Sequence, residues 1–344
     1  MIAESLPALG ATAADLALRS LGVARIAMSI PFAAAGGQVN VYLIDNADGS
    51  LTMFDTGLGN PAGWDALTAG FLAAGRRLQD VRRIIVSHGH MDHFGAARAL
   101  HERTGAPVLV HPRDAAKVLD RPEDPQRRQA IGRYFLRLGA PLPAILQMGA
   151  RYGKQERATA RLDEVEALDP GLELEFGAFR ATVVHTPGHT PGHVVLHADS
   201  ARILLSADHL LGRISPCPLI EVGPRDEDKS FRALVAYFES LETIEAMELD
   251  WVLPGHGEPF TGHRKAIAGL RAFYEKRQAR LLSLLQDGPR TPYEIAGAVF
   301  GKTRDDELYL TLSEIVGNLE VLEDSGRVER LREADVDRYR STTP

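Results

Sequence analysis

The feature that most constrains this chain is a run of metal-ligand side chains, SHGHMDH at residues 87–93. It places three histidines and one aspartate within six consecutive positions, directly after an apolar strand predicted at Arg82–Val86. Imidazole and carboxylate are the ligands that zinc and similar divalent ions prefer. A lone histidine is usually an ordinary core or surface residue, but four ligand-type side chains at this spacing indicate a metal site at a strand end.

Three later segments each carry one further candidate ligand. The turn-rich run TPGHTPGH at residues 186–193 contains His189, the apolar run LSAD at 205–208 ends in Asp208, and LPGHG at 253–257 contains His256. Each of these segments alone is a weak signal. Together, four ligand-bearing segments that each follow a predicted strand make a strong signal for a metal centre.

Strands and helices alternate along most of the chain, which indicates a layered α/β fold. The predicted strands fall into two halves, at 39–44, 51–54, 82–86 and 108–110 and then at 172–176, 181–184, 194–196, 203–205 and 251–253. Helices are predicted at 64–74, 96–103 and 231–245. This order suits a sandwich of two sheets covered by helices, in a catalytic domain spanning residues 1–261.

Two regions depart from this pattern. Residues 112–168 are rich in arginine, proline and glycine, have helical but no clear strand patterning, and are interpreted as a helical insertion. Residues 262–344 contain three predicted helices, the second with a capping box at Thr291 and Glu294, followed by a short strand near 327–331. This order predicts a small C-terminal domain of the winged-helix type.

The net charge and the cysteine count limit the expected partners and compartment. The 344 residues carry a formal net charge of −7, which disfavours binding to nucleic acid or to an anionic membrane. The single cysteine, Cys217, suits a reducing compartment, and the N-terminus has no signal-peptide pattern. We therefore expect a cytoplasmic protein that acts on a small molecule, has no nucleic-acid or membrane partner, and is compatible with a homodimer.

At the four ligand segments and at FDTG, residues 54–57, the sequence resembles the metallo-β-lactamase superfamily. The resemblance covers roughly residues 20–260 and implies an αββα sandwich. It also implies two divalent metal ions, with zinc as the first choice and iron or manganese as alternatives, that share a bridging hydroxide. In the implied assignment one ion is bound by His88, His90 and His189, the other is bound by Asp92, His93 and His256, and Asp208 bridges the two.

The same resemblance implies roles for other residues. Asp92 and Asp208 are the catalytic candidates, because their carboxylates keep the ions bound and can hydrogen-bond the attacking hydroxide. Asp55 is implied as a partner that orients a metal ligand. His193 is interpreted as lying directly behind the ligands, and His209 as a candidate for the pocket lining.

Within this superfamily we expect a hydrolase of carboxylic esters, acting on a thioester or a lactone. β-Lactam hydrolysis is disfavoured, because true β-lactamases of this group usually have cysteine or serine where Asp208 stands and are exported. Glyoxalase II and acyl-homoserine lactonases resemble the chain in all seven ligands. However, the glutathione-binding residues of glyoxalase II do not align here, and the lactonases lack a winged-helix tail.

Superfamily members with a C-terminal winged helix include a mitochondrial endoribonuclease, so a metal-dependent endoribonuclease is one alternative. The predicted third C-terminal helix, residues 307–324, has five acidic residues and no lysine or arginine, the reverse of a phosphate-binding helix. We therefore interpret the C-terminal domain as a packing, dimerisation or pocket-covering module. A non-catalytic metal-binding or nucleic-acid-binding module is the second alternative, and the intact ligand set argues against it.

The insertion and the segment after Asp208 supply candidate substrate residues. If the insertion closes over the metals, its apolar side chains, among them Phe135 and Tyr152, would line a pocket for an acyl or aromatic group. Packing within the insertion's own core is the alternative. Arg213 is a candidate partner for a substrate carboxylate or phosphate, although an exposed structural arginine fits the sequence equally well.

Overall fold

Two β-sheets packed face to face form the centre of the molecule, as the sequence predicts. The computed structural model describes residues 13–31, 36–120, 125–223, 231–301 and 307–342. The first sheet contains, in spatial order, β1 (Val23–Ser29), β2 (Gln38–Asp45), β3 (Leu51–Phe54), β4 (Val81–Val86), β5 (Val108–Val110) and β6 (Glu166–Ala167). The second contains β7 (Glu173–Glu175), β8 (Arg180–His185), β9 (Val194–Ala198), β10 (Ile203–Ala207) and β11 (Trp251–Pro254), in the order β11-β10-β9-β8-β7.

The directions of the strands bring the ligand segments to one edge of the sandwich. Strands β3 to β6 are parallel to one another, and β10 is parallel to β11. The end of β4 meets the start of β9 where the Val194 amide donates to the Ser87 carbonyl over 3.0 Å. Because β9 is antiparallel to β10, the start of β9 lies beside the end of β10. The ends of β4, β10 and β11 therefore lie at the same edge, each just before a candidate ligand.

Two cores, one on each face of the first sheet, explain why its central strands are apolar on both faces. In β2, Tyr42 and Ile44 pack against the second sheet, whereas Val41 and Leu43 pack toward the helices on the outside. Sheets covered on both faces have continuous apolar runs rather than an alternating pattern. The central strands of the first sheet could therefore be predicted from their continuous apolar runs.

Helices cover the outer faces and build the additional regions. They are α1 (Ala13–Ser20), α2 (Pro61–Ala73), α3 (Met91–Phe94), α4 (Ala97–Thr104), α5 (Pro112–Val118), α6 (Pro125–Arg137), α7 (Leu142–Ala158), α8 (Ala233–Glu245), α9 (His263–Leu285), α10 (Pro292–Phe300) and α11 (Leu308–Asp324). Helix α2 buries Leu67 and Phe71 against the first sheet, and α8 buries Leu234, Tyr237 and Leu241 against the second. In the part of the chain that the structure describes, none of these helices has the length and apolarity that a membrane crossing requires.

The region 112–168 is mostly helical, as predicted, but it also contains a strand that the sequence analysis missed. Strand β6 pairs in parallel with β5, with Glu166 opposite Leu109. Both residues of β6 are exposed, so the strand lacks the apolar alternation by which strands are recognised. The chain therefore re-enters the first sheet at Glu166, slightly before the expected end of the insertion.

The C-terminal region packs directly on the insertion. Helices α9 to α11 are followed by a hairpin of β12 (Val328–Glu333) and β13 (Val336–Ser341). The apolar stripe of α11 shares one core with Phe135 and its neighbours from α6 and α7. The Phe135 ring stacks on Tyr309, with ring centres 5.8 Å apart and planes at 14°. Phe135 and the buried apolar side chains around it in α6 and α7 thus pack in the core of α11, which corrects the expectation of an insertion pocket lined by Phe135.

Candidate metal centre

The seven predicted ligands meet at the common edge of the two sheets. His88, His90, Asp92 and His93 follow β4 in a tight turn that runs into α3, and His189 lies in the loop between β8 and β9. Asp208 follows β10, and His256 follows β11. Side chains that are up to 168 positions apart in the sequence, from His88 to His256, therefore share one small volume.

Three histidines form what we call the first ligand group: His88, His90 and His189. The Nδ1 atom of His90 lies 2.9 Å from Nε2 of His88 and 2.9 Å from Nε2 of His189. Burial lowers the pKa of all three rings, and the neighbouring imidazoles lower it further. The rings are therefore neutral, which is the form that binds a metal ion.

The second ligand group consists of Asp92, His93 and His256. Oδ2 of Asp92 lies 4.0 Å from Nε2 of His93 and 3.6 Å from Nε2 of His256. Burial alone would lower the pKa of both histidines, but the surrounding carboxylates outweigh it and raise both pKa values. The raised pKa values show that nearby carboxylates place the second group in a more negative electrostatic potential than the first.

The carboxylate of Asp208 lies between the two groups. Its Oδ2 atom is 3.4 Å from Nε2 of His189 and 3.2 Å from Nε2 of His256, and its Oδ1 atom is 3.4 Å from Nε2 of His93. Burial would raise the pKa of Asp208, yet His256 and His93 hold it well below its usual range. An ionised carboxylate in contact with both groups has the position that a bridging ligand requires.

Two buried atoms at this junction show that the arrangement fits a metal ion. His93 Nε2 and Asp208 Oδ1 have no hydrogen-bond partner within the described ranges. Buried polar atoms are nearly always satisfied, and a divalent ion would satisfy both of these. The fit is close, because a Cβ atom on Gly255 would lie 2.3 Å from Asp208 Oδ1 and 2.9 Å from His93 Cε1. Only glycine lets the loop before His256 pass the ligands at this distance.

Asp55 orients the second group from behind. Its Oδ2 atom lies 2.8 Å from Nδ1 of His93 and accepts a 2.8 Å hydrogen bond from the Ser87 hydroxyl, and its Oδ1 atom accepts from the Ser87 amide at 2.7 Å. The residue has a φ angle of 62°, a left-handed conformation that aspartate tolerates better than most residues. Asp55 thus has the contacts of a residue that fixes the His93 ring.

Three of the other histidine ligands are also held through their second ring nitrogen. Nδ1 of His88 lies 2.9 Å from the Ser87 hydroxyl, Nδ1 of His189 lies 3.0 Å from the Cys217 carbonyl, and Nδ1 of His256 lies 2.5 Å from the Gln38 carbonyl. A carbonyl can only accept, so His189 and His256 carry their proton on Nδ1 and present Nε2 as the free ligand atom.

His193 and His209 lie behind the ligands rather than among them. Nε2 of His193 accepts a 3.2 Å hydrogen bond from the Asp208 amide, and its Nδ1 is 2.9 Å from the Thr186 hydroxyl. His193 therefore supports the backbone of Asp208. His209 is fully buried between His193 and Tyr237, and burial lowers its pKa to about 3. This position in the interior does not match the expected pocket-lining role of His209.

The three predicted substrate residues are not brought together at the ligands. Arg213 is exposed to solvent. Phe135 is fully buried in the core that the insertion shares with α11. The side chain of Tyr152 lies outside the described residues. The structure thus groups all seven predicted ligands and Asp55, and it leaves the substrate contacts to other residues.

The sequence did not predict two side chains that hold the loops carrying the candidate ligands. Asp114 of α5 is fully buried and accepts hydrogen bonds from the loops that carry His90 and His189. Asn40 of β2 donates from Nδ2 to the carbonyls of Pro254 and Gly257, over 2.8 and 2.7 Å, on either side of His256. Neither residue stands in a recognisable motif, and nothing local in the sequence signals which distant loop each one contacts.

Comparison with known proteins agrees with this geometry. A sequence model of the metallo-beta-lactamase superfamily matches residues 34–256, which include all seven ligands. The curated "Probable metallo-hydrolase YqjP" of Bacillus subtilis (strain 168) is 27% identical over 303 residues, spanning 87% of this chain and 92% of that protein. The similarity therefore extends beyond the ligand segments into the C-terminal region.

Two solved structures resemble the whole chain. The metallo-beta-lactamase family protein TTHA1429 from Thermus thermophilus is 26% identical, with a TM-score of 0.78 over 93% of this chain and 98% of that one. A beta-lactamase domain protein from Burkholderia ambifaria is also 26% identical, with a TM-score of 0.78 over 93% of this chain and 92% of that one. The matched residues, the paired sheets and the clustered ligands agree, and the chain belongs to the metallo-beta-lactamase superfamily.

Proposed function

We propose that the chain is a binuclear metal-dependent hydrolase of a carboxylic ester, with a thioester or a lactone as the substrate class. The single observation that carries this proposal is the position of Asp208, whose carboxylate lies 3.2–3.4 Å from ligand atoms of both groups. Family membership and the donor set support a metal-dependent hydrolase, and the Asp208 position supports two ions rather than one.

The proposed ligand assignment follows the two groups. His88, His90 and His189 would hold one ion, Asp92, His93 and His256 the other, and Asp208 both. Zinc is our first choice because nitrogen and oxygen donors in small sets suit it, and iron or manganese would accept the same donors. Bound divalent ions supply a water of lowered pKa and a positive charge that polarises the scissile carbonyl.

The chain's own contribution lies in the two carboxylates and the fixed imidazoles. We assign Asp92 and Asp208 as the catalytic residues, because both carboxylates lie among the candidate ligands and can accept a hydrogen bond from an attacking water. Asp55 fixes the His93 ring and His193 fixes the Asp208 backbone, so neither ligand has to reorganise during the reaction. Asp55 and His193 are positioning residues.

The wall beside His189 supports an ester of apolar character. We call residues 215–222 the connector; its Cys217 carbonyl accepts from His189, and its Leu219 amide donates to the His189 carbonyl over 3.5 Å. The Leu219 side chain is half-buried and apolar, whereas the Cys217 thiol donates to the Leu310 carbonyl of α11 over 3.7 Å. Lys117 also lies near His90, but its ammonium is paired with Glu221. An apolar acyl group would therefore suit this wall at Leu219, and the wall offers a phosphate no unpaired charge at Lys117.

The endoribonuclease alternative is weakened by the position of α11. A helix that reads nucleic acid needs an exposed basic face. Helix α11 is instead buried against α7, α8, α9 and α10, and its residues include no lysine or arginine. We therefore propose that no nucleic acid binds and that α11 serves packing. A cytoplasmic location remains part of the proposal, on the strength of the single cysteine.

The test is metal analysis combined with a substrate panel. Protein expressed with supplemented metal should carry about two ions per chain. It should hydrolyse a thioester or lactone faster than a phosphodiester or RNA. The variant His256→Ala should lose this turnover, whereas His101→Ala, a histidine outside both groups, should keep it.

Three outcomes would overturn the proposal. One ion or none in the supplemented wild-type protein would reject the binuclear centre. Faster cleavage of RNA than of esters would promote the endoribonuclease. Two bound ions with no turnover of any substrate would favour a non-catalytic metal-binding module.

A further inference from the structure

We infer that Asp114 is a positioning residue that fixes the two loops of the first ligand group relative to each other; this inference rests on the proposed function. Its Oδ2 atom accepts a 2.8 Å hydrogen bond from the Gly89 amide and a 2.6 Å bond from the Thr190 hydroxyl. Its Oδ1 atom accepts a 3.0 Å bond from the Gly192 amide. One carboxylate thus joins a loop of the first sheet to a loop of the second.

The three donors are placed where they control ligand positions. Gly89 lies between His88 and His90, and Thr190 directly follows His189. A shift of either loop would move His189 away from His88 and His90, or those two away from His189. In the structure, Nε2 of His88 and Nε2 of His189 each lie 2.9 Å from Nδ1 of His90. Asp114 is the described side chain that contacts both loops through these bonds.

Asp114 lies in the interior of the protein, surrounded by hydrogen-bond donors, and not on the surface. The side chain is fully buried, and Lys117 Nζ lies 3.7 Å from Oδ1. A buried carboxylate is costly unless hydrogen-bond donors surround it, and three donors and one cation do so here. Lys117 is paired in turn with Glu221 of the connector, so the same cluster reaches the segment that holds His189.

Both loops approach α5 so closely that they require glycine. A Cβ atom on Gly89 would lie 2.7 Å from Cβ of Lys117, and a Cβ atom on Gly192 would lie 2.7 Å from the Asp114 amide nitrogen. Side chains at these positions would push the loops off the helix and break the bonds to Asp114. The glycines of the two histidine motifs thus serve the contact with Asp114.

Asp114→Asn is the decisive variant, because it keeps the shape but replaces one acceptor oxygen with a donor nitrogen. Holoenzyme would be mixed with a chromophoric zinc chelator, and the affinity of each bound ion would be measured in the full chain. We expect one of the two affinities to fall by about 10- to 100-fold, the range found for residues that orient metal ligands. The other affinity should change much less. Asp163→Asn, an exposed aspartate of the same insertion, is the matched control and should match the wild type.

A role in general stability alone would lower the melting temperature without a selective change in metal affinity. Two unchanged affinities, or an equal loss of both, would overturn the inference. If Asp114→Asn does not fold, Thr190→Val removes a single donor and should lower the same one affinity by a smaller factor; unchanged affinities in that variant would overturn the inference too. A wild-type protein with fewer than two ions would instead overturn the proposed function, and this inference with it.

Discussion

The two ligand groups contact each other through Asp208, yet different parts of the chain hold them. The second group is fixed from the first sheet, by Asp55 after β3 and by Asn40 in β2. The first group is fixed by Asp114 of the insertion and by the Cys217 carbonyl of the connector. The sandwich itself thus holds the second group, whereas the first group is held both by the sandwich, through the Ser87 hydroxyl at Nδ1 of His88, and by segments added to the sandwich.

The electrostatics of the two groups differ in the same sense. In the first group burial and crowded imidazoles lower the histidine pKa values, so its ligands are neutral. In the second group the carboxylates of Asp208, Asp55 and Asp92 lie near His93 and raise its pKa despite its burial. We therefore expect changes in the insertion or the connector to affect the first group more than the second.

The connector extends this dependence to the C-terminal region. The Ser313 hydroxyl of α11 accepts from the Ile220 amide over 3.1 Å, and the Tyr309 hydroxyl donates to the Ile220 carbonyl. The Tyr274 hydroxyl of α9 donates to the Pro216 carbonyl over 2.9 Å. Helices α9 and α11 thus hold the segment that holds His189.

The largest effect is expected at Asp208, because this candidate ligand belongs to both groups. Asp208→Ala should lower turnover by at least about a hundredfold, because misplacement of reacting groups by ~1 Å already costs this much and both groups lose their shared ligand. A rate measurement with a thermal melt checks this, and Asp199→Ala, an exposed aspartate near β10, is the control. A folded variant with a near-normal rate would show that Asp208 does not join the groups.

A smaller and selective effect is expected at Asp55. Asp55→Asn tolerates the left-handed backbone, but its amide cannot accept from His93 and both Ser87 donors. We expect the affinity for one ion to fall by about 10- to 100-fold in chelator competition. Asp65→Asn, an exposed aspartate of α2, is the control.

Combining Asp55→Asn with Asp114→Asn tests whether the two groups are independent. If each carboxylate serves its own group, the double variant should lose affinity for both ions, with the two effects adding. If only one affinity falls in the double variant, both carboxylates act on the same ion. The two groups would then not be held by separate carboxylates.

The candidate ligands and the residues that hold them differ in how well the sequence predicts them. All seven candidate ligands stand in short runs after apolar strands, and these runs carry the family resemblance that implies their roles. Asp55 follows β3 inside another of these motifs, so the resemblance implies its role too. Asp114, Asn40 and the Cys217 carbonyl act on loops far away in the sequence, and no local pattern encodes such pairings.

Secondary structure, too, is predicted well where local patterns encode it and poorly where it depends on residues far apart in the sequence. Most strands of the sandwich are apolar runs that the sequence predicts to within a few residues, whereas β1 is not predicted individually and the exposed strand β6 is not predicted at all. The apolar residues of the insertion were recognised, but their partner was not. Phe135 packs on Tyr309, 174 positions away in the sequence, and periodicity says which face of a helix is buried but not what buries it.

The smallest effect is expected at Tyr309, where it would show that the C-terminal region acts on the first ligand group. Tyr309→Phe keeps the ring that stacks on Phe135 and removes only the hydroxyl that donates to the Ile220 carbonyl. The loss of one hydrogen bond should cost about 0.5–1.5 kcal/mol of stability. Because the connector also carries the Cys217 carbonyl, we expect a few-fold faster release of one ion to a chelator. Tyr293→Phe, in the same core but away from the connector, should release both ions at the wild-type rate. Lower stability with unchanged release in Tyr309→Phe would mean that the connector holds His189 without help from α11.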